Sequence, residues 1–69
     1  MLLDEYAESI VKRLEEVKPN GLPPERLSIT CGGSAQYAQG YCDLMAHNKV
    51  IRTDGNGIFF YVQQPILAV

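Results

Sequence analysis

The sequence predicts an α+β domain in which three helices precede a two-stranded β-hairpin. Apolar residues recur at three- and four-residue spacings along the first 17 positions, which marks an amphipathic helix. The glycine turn Cys31-Gly32-Gly33-Ser34 then separates two further helical stretches. Two β-prone runs, Lys49-Val50-Ile51-Arg52 and Ile58-Phe59-Phe60-Tyr61-Val62, flank the glycine-rich Asp54-Gly55-Asn56-Gly57.

The first helix is expected over residues 4–18, with Leu3, Ala7, Ile10, Leu14 and Val17 on one stripe widened by Tyr6 and Val11. Asp4, Glu5 and Glu8 suit its positive end, and Glu8 and Lys12 are spaced to pair on the solvent face. Pro19-Asn20-Gly21 stops it, because proline cannot continue the ladder and Asn or Gly tolerates a left-handed turn.

The second helix, 24–31, opens on Pro24 with Glu25 behind it, and Leu27 and Cys31 should face the core. Gly32 supplies the positive φ that ends it. Ser34 caps the third helix, 34–47, whose buried stripe is expected to be Ala38, Tyr41, Cys42 and Met45. Ala35, Gln36, Gln39, Gly40 and Asp43 then point outward, and the interior Gly40 costs about 1 kcal/mol relative to alanine.

For the hairpin over 49–62, an even-length loop within Asp54–Gly57 would put Ile51, Ile58, Phe60 and Val62 on the core face. Val50, Arg52, Phe59 and Tyr61 would then lie on the outer face. The tail, 63–69, ends in four apolar residues and is expected to fold back or cover a second copy.

Size and charge bound the function. With 69 residues and 46% hydrophobic content the chain is one small domain, close to the size at which pairing of two copies helps the core. No stretch approaches a membrane span or a secretory signal, and two cysteines form no disulfide framework, so cytoplasm is expected. The net charge of −2 is uneven. Residues 1–17 hold five acids against Lys12 and Arg13, whereas residues 18–69 hold four cations against three acids.

The stretch Leu27-Ser28-Ile29-Thr30-Cys31-Gly32-Gly33-Ser34-Ala35-Gln36-Tyr37-Ala38 resembles the turn region of small bacterial and phage-type winged helix-turn-helix regulators. Met45 stands where that family has a core leucine, Val50-Ile51 matches the start of the wing, and Tyr61-Val62 matches its close. The resemblance spans residues 4–62. Gly33 departs from it, replacing an apolar residue, and so does the absence of Lys or Arg between Ser34 and Met45.

The resemblance implies sequence-specific binding of double-stranded DNA by a small transcriptional regulator, the third helix entering the major groove. Base contacts would come from Ala35, Gln36, Tyr37, Gln39 and Gly40, since a glutamine amide pairs bidentately with adenine. Phosphates would be held by Arg26, Ser34, Lys49 and Arg52. The alternative is a winged helix used for protein–protein interaction without DNA. A homodimer or a protein partner is expected for the regulator too, and the partner or dimer surface would include Phe59, Tyr61, Ile66 and Leu67.

Other chemistries find little support in the residues. Cys31, Cys42 and His47 match no zinc spacing and are expected as two core thiols and a helix C-terminal residue, so no metal or cofactor is anticipated. One histidine, no phosphate loop and scattered acids argue against an enzyme.

Overall fold

A computed structural model describes residues 4–63. The elements are α1 (Glu5–Val17), α2 (Pro24–Cys31), α3 (Ala35–His47), β1 (Ile51–Thr53) and β2 (Phe59–Tyr61). Three helices followed by an antiparallel hairpin give an α+β layout consistent with a winged helix.

Asp4 is the N-cap of α1 rather than a first-turn residue: its Oδ1 accepts the Ala7 N–H at 2.9 Å, meeting a donor the helix cannot satisfy. The periodic stripe buries Ala7, Ile10 and Leu14. Leu3 lies outside the described residues. On the solvent face the ion pair among the described residues is Arg13–Glu16 at 3.5 Å, not Glu8–Lys12.

In α2, proline occupies the first turn, where no N–H is needed, and Leu27 is fully buried. Gly32 (φ 92°) and Gly33 (φ 77°) reverse the chain into α3 through backbone that side-chain-bearing residues rarely adopt. Ser34 caps α3 by accepting the Tyr37 N–H at 3.0 Å. Ala38, Cys42 and Met45 face inward, whereas Tyr41, expected with them, is only half-buried at the edge of the stripe. Lys49 turns the chain out of α3 at φ 62°, and the Val50 N–H reaches back to the Met45 carbonyl at 2.8 Å to close the helix.

The hairpin register corrects the sequence expectation. Ile51 pairs with Tyr61, Arg52 with Phe60 and Thr53 with Phe59. The turn is the three-residue Gly55-Asn56-Gly57, closed by the Asp54 N–H on the Ile58 carbonyl at 3.3 Å. Asp54 Oδ1 also accepts the Asn56 N–H at 2.7 Å, and both glycines have positive φ. An odd loop reverses the parity that an even one would impose. Ile51 and Phe59 therefore enter the core, at 2% and 3% exposure. Ile58, Phe60 and Val62 are half-buried instead of forming the core face, and Phe59 is not an exposed docking residue.

One sheet contact has no counterpart in the sequence expectation. Leu22, in the α1–α2 connection, forms an antiparallel bridge to Phe59 on the edge of β2 away from β1. The core thus joins Ala7, Ile10 and Leu14 of α1 to Leu27, Cys42, Met45, Ile51 and Phe59, and among the described residues it holds no buried charge.

Candidate functional site

The outward half of α3 has two flanks of different chemistry. With Ala38, Cys42 and Met45 turned inward, the helical repeat sets Gln36, Gly40 and His47 outermost. Ala35, Gln39 and Asp43 form the flank facing the wing, and Tyr37, Tyr41 and Leu44 form the flank beside α1.

The wing-side flank is polar and tied to itself. Gln39 Nε2 donates to Asp43 Oδ1 at 2.7 Å, so the amide proposed for base reading is engaged by a neighbouring carboxylate. Gln39 also lines the cleft between α3, α2 and the wing turn, together with Glu25, Ala35 and Asn56. Ala35, Gln36 and Gly40 are exposed. The Ser34 hydroxyl oxygen already accepts the Tyr37 N–H.

The proposed phosphate ligands do not form one patch on α3. Arg26, Lys49 and Arg52 are exposed on three different elements or turns. The Arg52 guanidinium stacks over Phe60 at 4.9 Å on the outer face of the hairpin, and Lys18 lies over Tyr61, which shares the other face with Ile51 and Phe59, at 5.2 Å. Counting Lys18, residues 18–69 set four cations against the three acids Glu25, Asp43 and Asp54. Of the residues proposed for a partner surface, Phe59 is buried, Tyr61 is half-buried beneath Lys18, and Ile66 and Leu67 lie outside the described residues.

The α1-side flank is aromatic and apolar. Tyr6, Tyr37 and Tyr41 form a ring cluster with centroids 4.7–5.2 Å apart, packed edge-on or tilted. Its hydroxyls tie elements together: Tyr6 donates to the Gly32 carbonyl at 2.8 Å, and Tyr41 donates to Asp4 Oδ2 at 2.5 Å. The Tyr41 bond, then the Ala7 N–H, holds the Asp4 carboxyl below its ordinary value, and the same bond pushes the Tyr41 hydroxyl up. Burial raises the Tyr6 hydroxyl. Gly33 now has a reason: a Cβ there would meet Tyr37 Cδ2 at 2.9 Å, so the ring occupies the space a side chain would need.

Beyond the cluster, α3 shows a shallow, open apolar patch made by Gln36, Tyr37, Gly40, Tyr41 and Leu44. Tyr37 and Leu44 are 51% and 53% exposed. Sequence reasoning placed no role on Leu44. The signal existed: Tyr37, Gly40, Tyr41 and Leu44 have the 0, 3, 4, 7 spacing of the buried stripe, offset by one residue.

No protein-family model matches the chain, and no curated protein or solved structure matches it. Among the described residues, no group of three His, Cys, Asp or Glu side chains could hold a metal ion, and no helix is long and apolar enough to cross a membrane. Burial, then Asp43 and Cys31, pushes the Cys42 thiol up to about 12, so at neutral pH it stays a protonated core group.

Proposed function

We propose that this chain is a winged-helix protein-interaction module whose α3 flank takes an uncharged, apolar-faced helix of a partner. The observation that carries this reading is the strip Tyr37–Gly40–Tyr41–Leu44, exposed except for the half-buried Tyr41 and apolar along two helical turns beside a cluster that fixes two of its rings. Burying such a strip releases about 25 cal/mol per Å² of apolar area. A pre-ordered ring cluster also lowers the entropy cost of docking. Two free thiols suit a reducing compartment, in keeping with the cytoplasm.

Electrostatics supports the same choice. Phosphate neutralisation supplies most non-specific DNA affinity, and four cations against three acids over residues 18–69 offer little of it. A second reading, a small DNA-binding transcriptional regulator, draws support from the exposed Ala35, Gln36 and Gly40 at the start of α3 and from exposed Arg26, Lys49 and Arg52.

Two selections with the whole chain separate the readings: a random DNA duplex library at about 50 mM salt, and a displayed library of amphipathic helices. The interaction reading expects no enriched duplex and enriched apolar-faced helices whose binding is lost in Leu44→Asp. Salt-dependent duplex binding that disappears in Gln36→Ala and survives Leu44→Asp would overturn it in favour of the regulator.

A further inference from the structure

We infer that the helix docked on this flank is α3 of a second copy of the same chain, in an antiparallel pair about a two-fold axis near Gly40 and Tyr41. The inference rests on the interaction reading and names its occupant.

The strip is complementary to itself. An antiparallel crossing centred between Gly40 and Tyr41 sets Tyr37 of one copy against Leu44 of the other, and Gly40 against the ring of Tyr41. Large side chains then meet small or aliphatic ones at both ends of the contact. Isologous pairing of this kind needs one patch that fits its own rotated image.

Gly40 supports the crossing independently. A Cβ built at this position meets nothing within 4 Å, so no contact inside one copy requires glycine. Its φ is not in the left-handed region, since the positive-φ glycines are Gly32, Gly33, Gly55 and Gly57. A mid-helix glycine that serves neither packing nor a turn weakens the helix. A second backbone approaching at that point gives the gap a use.

Charge opposes a second copy least at the strip itself, although the Asp4 carboxylate bonded to Tyr41 lies at its edge. Two identical chains of net charge −2 repel, and α1 carries Glu5, Glu8, Glu15 and Glu16. α3 contains no Lys or Arg, and its one acid, Asp43, points to the wing-side flank. Antiparallel α3 helices also set the positive N-terminal end of one beside the negative C-terminal end of the other.

The area sets the strength. Half of Tyr37 and of Leu44, with parts of Tyr41, Gln36 and the Gly40 backbone, amounts to roughly 300 Å² per copy. A standard stable interface buries about 800 Å² per partner. The pair is therefore weak and forms with rising concentration.

Sedimentation velocity and amide NMR spectra of the full chain, from about 10 μM to 1 mM, test the inference with two variants. The parent should shift toward dimer as concentration rises, its amide changes centring on Tyr37, Gly40, Tyr41 and Leu44. Leu44→Asp should stay monomeric with an unchanged fold. Gly40→Gln should melt at a higher temperature when dilute, because a helix former replaces glycine, yet dimerise at least tenfold more weakly. This opposition of sign separates an interface role from a folding one. A parent monomeric at 1 mM overturns the inference, as does a dimer that survives both variants or whose amide changes lie on the wing. A monomer that still captures displayed helices through Leu44 leaves the interaction reading standing without the second copy. Loss of both removes the two together.

Discussion

Leu22 and Phe59 exchange two backbone hydrogen bonds, the Leu22 N–H to the Phe59 carbonyl at 2.9 Å and the Phe59 N–H to the Leu22 carbonyl at 3.0 Å. This pair fastens the connection between α1 and α2 to the edge of the wing. It also holds Phe59 with its ring in the core, so the hairpin is part of the domain and not an appendage.

The first prediction follows from that ring. Phe59 is 3% exposed, and its neighbour Phe60 is half-buried under the Arg52 guanidinium. Phe59→Ala should lose roughly 3–5 kcal/mol through lost burial and a residual cavity, enough to unfold a domain this small. Phe60→Ala should cost clearly less. Urea melts of both variants check the order, and the reverse ranking would restore the even-loop register.

Gly21 gives a second prediction through the same bridge. A Cβ there would come 2.5 Å from the Phe59 carbonyl oxygen and 2.7 Å from both Ile58 Cγ2 and Phe60 Cδ2. Backbone cannot move aside as a flexible side-chain end can. Gly21→Ala should cost about 1–3 kcal/mol by forcing the Leu22–Phe59 bridge apart. Amide exchange at Leu22 and Phe59 should speed up before the rest of the core loosens. Unchanged protection at those two amides would refute it.

Acid should act on the α1 cap. The Tyr41 hydroxyl and the Ala7 N–H hold the Asp4 carboxyl below its ordinary 3.8. A depressed carboxyl contributes stability that is present above 3.8 and is lost as pH falls through the lower folded value. Asp4→Asn keeps a capping oxygen but cannot titrate. The melting temperature of the parent should therefore fall more steeply than that of Asp4→Asn below pH 3.8. Parallel curves would show that the Tyr41–Asp4 bond gives no pH dependence.

The sequence alone determined the order of elements and most of their ends, because those depend on local chemistry. Apolar spacing marked α1, proline opened α2, Gly32 ended it, and Ser34 capped α3. Local chemistry could not decide faces. The wing turn contains two glycines that fit loops of either parity, and only packing of Phe59 against α1 and bonding to Leu22 selected the odd one. In α3, the stripe at Ala38, Cys42 and Met45 and the stripe at Tyr37, Gly40 and Leu44 share one helical period. Which of them entered the core was set by where α1 and the hairpin meet the helix, and that left the second stripe, uncharged, on the surface.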